Sequence, residues 1–227
     1  IKSAAAELSV HLHAAEKSGS IALFMHPFTS SKDLHAIGAL CKGLQSGGQS
    51  VARFDFTGLG QSTGSFSSTN LDDIAAVIAH LEADGYRIDT LIGLSLGGLA
   101  ALFAANRFAS VRNVVLLNTP SRPTHLLHHF GDSLEQLEAR GAAEAIIAGR
   151  PSLFKKQFLD DLRRHDIAGA IASCEARVLI AHAKEDATVP YENGLKLYEQ
   201  LRESTQAELL PLEKSDQTSR MNPLKIY

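Results

Sequence analysis

The amino-acid sequence predicts an α/β fold built on a mostly parallel central sheet with helices on both faces. Three observations carry that expectation: apolar runs recur at strand length, segments of helical period separate most of them, and the runs are apolar at almost every residue. A strand covered above and below needs apolar side chains at successive positions, whereas a half-solvated strand alternates. Such runs with helices between them are the pattern of parallel strands joined by crossovers.

Taken in order, ELSVHLHA (7–14) alternates only partly, which suits an outer strand. IALFMH (21–26), SVARFDF (50–56), DTLIGL (89–94), VRNVVLLN (111–118), ARVLIAHA (176–183) and AELLPL (207–212) read as the other strands. The spacing of apolar residues places helices over about 34–46, 71–84, 96–107 and 191–203. Residues 121–172 break this rhythm: they carry helical pattern and no convincing strand, so they read as a small helical cap inserted at the carboxyl edge of the sheet. The insertion is too short to bury a core of its own, which leaves 1–227 as a single domain.

Composition narrows the function classes. The 227 residues are 44% hydrophobic and 21% charged, a globular profile that excludes general disorder. With 22 Lys+Arg against 25 Asp+Glu and no long basic block, the chain is not built to bind nucleic acid or an anionic membrane as its main partner. No apolar run approaches the roughly 20 residues of a membrane span, and no signal peptide is evident, so a cytoplasmic protein is expected. Cys41 and Cys174 lie in or beside apolar helical stretches and read as buried thiols.

The sharpest chemical signal is Gly93-Leu94-Ser95-Leu96-Gly97, a G-x-S-x-G run placed directly after one strand and before a helix. A sharp strand-to-helix turn needs residues without side chains at its flanks and lifts the central serine hydroxyl to the tip. The amino terminus of the following helix offers free N–H groups and partial positive charge, which suit an oxyanion forming beside Ser95. Leu96 N–H is one expected donor. A second, Phe28 N–H, is expected from His26-Pro27-Phe28 at the end of the second strand, because the loop there lies beside such a turn. His26 itself is expected to order that loop and border the substrate pocket, not to act as a base. In the cap, Leu126, Leu127, Phe130 and Phe154 are the apolar residues expected to shape an acyl pocket.

An acid is expected in HAKEDATVPYENG, after a late strand; Asp186 is the first choice and Glu185 its competitor. The base should follow the last strand, yet no histidine follows His182, and Gln217 stands in EKSDQTSRMNPLKIY where the base is wanted. A glutamine amide cannot take the serine proton. The histidines His125, His128 and His129 have helical spacing but no carboxylate or cysteine cluster to complete a metal site, so no metal is expected.

With those residues placed, the sequence resembles the α/β-hydrolase superfamily over nearly all its length. HPFTSSKD (26–33), RFDFTGLGQSTGSF (53–66), GLSLGG (93–98) and GRPSLFKKQFLDDL (149–162) together are similar to the hydrolase half of bacterial proteins that fuse an α/β-hydrolase domain to an OsmC-like domain. The resemblance implies an α/β-hydrolase fold, Ser95 as nucleophile, Asp186 as acid and position 217 as the histidine slot. It implies a serine hydrolase of carboxylic ester type, with a small-molecule acyl substrate, no cofactor and an OsmC-like domain in a longer parent chain. Gln217 leaves a second reading open: a catalytically silent hydrolase fold that binds a ligand or a partner domain.

Overall fold

The computed structural model describes residues 1–4, 6–16, 19–64, 71–147 and 150–213. Seven strands form one sheet in the order β1-β3-β2-β4-β5-β8-β9. These are β1 (Val10–His13), β2 (Ile21–Met25), β3 (Ser50–Phe54), β4 (Ile88–Leu94), β5 (Asn113–Leu117), β8 (Arg177–Ala183) and β9 (Ala207–Leu212). β1 pairs antiparallel with β3; every other pair in the sheet is parallel. This is the expected mostly parallel sheet, with the partly alternating run at its edge.

The helices follow from the same apolar periodicity. α1 (His35–Ser46) buries Ile37 and Cys41 against Ala22, Phe24 and Val51 on one face of the sheet. α2 (Leu71–Ala83), α3 (Leu96–Ala105) and α7 (Glu192–Leu201) pack on the other, where Ile74, Val77, Leu102, Leu197 and Leu201 meet Leu91, Val114 and Ile180. Both cysteines are buried, and burial pushes the Cys41 thiol up to about 11. Among the described residues no helix is long and apolar enough to cross a membrane.

The insertion departs from the helical expectation. It contains a 3-10 helix (Pro123–Phe130), α4 (Ser133–Arg140), α5 (Lys156–Arg164) and α6 (Ile167–Ala172), but also an antiparallel hairpin of β6 (Ala142–Ile147) and β7 (Arg150–Lys155). The physical cause is a period-2 burial pattern written in small residues. Ala143 and Ala145 are buried while Glu144 and Ile146 face out, and on the partner strand Leu153 is exposed while Phe154 is buried. Alanines favour helices on propensity alone; here packing against an aromatic cluster overrides it.

A buried charged network ties the loops after β2 and β3 to each other. Asp55 Oδ1 accepts the Lys32 backbone N–H at 2.6 Å, and its Oδ2 accepts Lys32 Nζ at 3.0 Å and Gln61 N–H at 2.9 Å. Arg53 donates to the Lys32 carbonyl through Nη1 and to His13 Nε2 through Nε at 3.0 Å. Asp55 and Lys32 are almost completely buried. Each charge therefore depends on the other, since a buried ion without its partner is costly. The network fixes the end of the segment that carries His26 and Phe28.

Candidate active site

Ser95 lies between the end of β4 and the start of α3 with φ 56° and ψ −123°, a backbone conformation that non-glycine residues rarely adopt. The strain is held by packing on both sides. A Cβ on Gly97 would lie 2.4 Å from the Met25 carbonyl oxygen and 2.6 Å from that of His26, so the first turn of α3 rests directly on the end of β2. A Cβ on Gly93 would fall 2.1 Å from the Gly97 carbonyl oxygen. Ser95 N–H donates to Leu117 O at 2.8 Å, anchoring the turn to β5.

The same close approach brings the two expected oxyanion donors into one neighbourhood. Leu96 is the first residue of α3, where backbone N–H groups have no partner within the helix. Phe28 lies in a turn closed by Ser30 N–H donating to Pro27 O at 3.2 Å, and the third residue of that turn, Thr29, has φ 52°. Glycine or asparagine is the ordinary occupant of such a position. The Phe28 and Leu96 side chains belong to one apolar cluster.

His26 has both ring nitrogens engaged. Its Nε2 accepts the Phe56 N–H at 3.2 Å, which leaves the proton on Nδ1 to be donated to Pro27 O at 2.8 Å. The imidazole thus pins the loop to the segment that follows β3 and holds no lone pair for the serine. His182 is committed through one nitrogen only, its buried Nδ1 having no hydrogen-bond partner among the described residues. Its Nε2 donates to Val189 O at 2.8 Å, and a Cβ on Gly194 would meet its Nδ1 at 2.8 Å. Burial holds its pKa below the ordinary 6.5, against the opposing pull of Val189 and Asp186.

Asp186 is buried and Glu185 is exposed. Asp186 Oδ1 accepts two backbone N–H groups, from Thr188 at 2.8 Å and Val189 at 2.9 Å, an arrangement that fixes the carboxylate plane. The loop is braced from three sides. His182 holds Val189; Asn118, at φ 42° beyond β5, accepts the Ala183 N–H at 2.9 Å through Oδ1; and His125 of the cap lies with Nε2 3.1 Å from Thr188 O. Ser121 adds two hydrogen bonds to Asn193 Oδ1, at 3.0 Å from its N–H and 2.9 Å from its hydroxyl. Asn118 and Ser121 carry no motif that marks them in the sequence; the only signal was their place at strand ends on the same edge.

Of the remaining expected residues, Phe130 and Phe154 are buried in the cluster that contains Phe28, and Leu127 packs against it partly exposed. The Leu126 side chain and Gln217 lie outside the described residues. So do the side chains of His128 and His129, and among the described residues no group of three or more His, Cys, Asp or Glu is placed to hold a metal ion.

A parallel sheet whose fourth strand ends in a strained serine turn, with a buried aspartate loop two strands away, is the architecture of the α/β-hydrolases. Residues 22–213 match the alpha/beta hydrolase family, and the chain belongs to it. It is similar to the esterase domain of a Rhodothermus marinus protein, at 30% identity over 93% of this chain and 90% of that one, with a TM-score of 0.72. The ferulic-acid-bound structure of Est1E from Butyrivibrio proteoclasticus superposes with a TM-score of 0.79 at 19% identity, covering 98% of this chain and 92% of that one. The Pyrococcus furiosus esterase Pf2001 gives a TM-score of 0.66 at 18% identity, over 92% of this chain and 84% of that one. No protein of curated function matches.

Proposed function

We propose that the chain is an acyl-ester hydrolase scaffold in which Ser95 is the nucleophile, Asp186 the acid, and the N–H groups of Phe28 and Leu96 the oxyanion donors. The observation that carries this reading is the φ of 56° at Ser95, strain of a kind that persists where function requires it. In the reaction Ser95 Oγ attacks the ester carbonyl and gives its proton to water, the tetrahedral oxyanion is held by the two N–H groups, the C–O bond breaks with its electron pair leaving on an alkoxide that water protonates, and a second water hydrolyses the acyl-serine to the free acid. The triad base belongs at position 217, where this chain has glutamine. With no base there, acylation falls back on solvent and turnover is slow.

The esterase domain from Rhodothermus marinus, at 30% identity, supports the ester reading, and the ferulic acid held by Est1E supports a small-molecule substrate. We further assign the chain to the hydrolase half of bacterial α/β-hydrolase/OsmC-like proteins, on the four segments quoted above, and place it in the cytoplasm without a cofactor. Gln217 favours one other reading: a silent hydrolase fold retained to bind a ligand or a partner domain.

A fluorophosphonate probe followed by peptide mass spectrometry separates the two. Attack by Ser95 Oγ on phosphorus expels fluoride and leaves a stable adduct. Labelling at Ser95 that disappears in Ser95→Ala supports the hydrolase reading. Unlabelled, well-folded protein supports the silent one.

A further inference from the structure

The residues that flank the proposed oxyanion site extend their side chains into a cluster of stacked phenyl rings supplied by the cap. The Phe28 ring stacks on Phe158 at 4.9 Å and 17°, and on Phe154 at 5.4 Å and 29°. Phe130 meets Phe154 edge-on at 4.8 Å, and Phe154 lies 5.3 Å from Phe158. Leu96, Leu99 and Leu159 belong to the same cluster. The exposures are 7% for Phe28, 4% for Leu96, 3% for Phe130 and 2% each for Phe154 and Phe158. A ring bordering an open slot wide enough for an alkyl chain would retain accessible surface along that slot. These rings have spent their faces on one another.

We infer that this four-ring stack is a plug that limits the acyl group to a short chain, with Phe154 and Phe158 as the residues that set the limit. The inference rests on the reading of Ser95 as an acyl-accepting nucleophile. With the rings closed on one another, a group as long as octanoyl has to displace the stack, whereas an acetyl group asks the least of it. Each methylene that cannot be seated costs about tenfold or more in selectivity, so the limit should be steep. Phe154 is the sharper lever, because its ring centroid lies within 5.4 Å of the other three, whereas Phe158 stands 6.1 Å from Phe130.

The test compares p-nitrophenyl acetate, butanoate and octanoate, reading acylation of Ser95 by intact mass and peptide mapping. In each case the Oγ–acyl bond forms, the ester C–O bond breaks, p-nitrophenolate leaves and the serine proton passes to water. With the parent chain, acetate and butanoate should acylate Ser95 at least about tenfold faster than octanoate. In Phe154→Ala the octanoate-to-acetate ratio should rise by about tenfold or more. Phe158→Leu, which keeps most of the apolar volume and removes the ring, should move the ratio in the same direction and serves if Phe154→Ala does not fold. Leu153→Ala, on the exposed face of the same hairpin, should leave the ratio unchanged. Equal acylation of the parent by octanoate and acetate overturns the plug, as does an unchanged ratio in the folded ring variants. If fluorophosphonate also fails to label Ser95, the nucleophile reading falls and the plug with it. Labelling by fluorophosphonate with no chain-length effect removes the plug alone.

Discussion

Replacing Ser95 by glycine, compared with replacing it by alanine, measures the strain at the serine turn. The conformation at φ 56° and ψ −123° is one that a Cβ disfavours, and residues held so cost about 1–3 kcal/mol. Alanine keeps the Cβ and the strain; glycine releases it. Against that gain stands the extra freedom of glycine in the unfolded chain, about 0.5–1 kcal/mol. The hydroxyl is lost in both variants, so their difference isolates the backbone. Ser95→Gly should therefore be more stable than Ser95→Ala by about 0.5–2 kcal/mol. Urea denaturation with matched slopes reads the difference directly. A glycine variant less stable than the alanine variant by about 0.5–1 kcal/mol, the ordinary penalty at a relaxed position, would refute the strain argument.

Three further outcomes follow from the same geometry. Gly97→Ala puts a Cβ at 2.4 Å from one backbone oxygen and 2.6 Å from another, so α3 must back away from β2. Stability should fall by about 1–3 kcal/mol, and fluorophosphonate labelling of Ser95 should slow about 100-fold. Lys32→Met leaves the Asp55 carboxylate buried without its cation and should cost about 3–5 kcal/mol in the same urea assay; a change within about 0.5 kcal/mol would show the pair to be dispensable. Burial holds His13, His165 and His182 below the ordinary 6.5, so in acid the unfolded chain binds more protons than the folded one. Their stabilising contribution is complete above about pH 6.5 and is lost as the pH falls from there through their folded values. Urea midpoints between pH 7.5 and 5.5 should decline, and less steeply in His182→Gln; a flat profile would contradict the buried neutral imidazoles.

Much of this is legible in the sequence. Runs such as IALFM and NVVLL are apolar without alternation, and only a doubly covered parallel sheet accommodates them. The serine turn was legible because its glycines are demanded by contacts under 3 Å, a constraint no other residue meets. The hairpin of the cap was not, because alanine at 143 and 145 signals helix until the aromatic cluster it packs against is known. Nor was the Lys32–Asp55 pair, whose members are 23 residues apart and joined only by the sheet. The braces on Asp186 from Asn118 and His125 are of the same kind: single polar residues whose meaning comes from the strand ends that the topology brings together. His26 could be placed beside the site from the sequence, but its commitment to Phe56 and Pro27 required the structure.

We propose that Ser95 and Asp186 form an acyl-transfer site that lacks only its base. Ester hydrolysis by Gln217→His, measured on p-nitrophenyl acetate beside the parent chain and beside Gln217→His/Ser95→Ala, tests it most directly. A restored imidazole should raise the rate by about three or more orders of magnitude, judged from what a missing triad member costs, and the serine change should abolish the gain. A folded Gln217→His chain no faster than its parent, or one whose gain survives Ser95→Ala, would show that Ser95 and Asp186 do not form such a site.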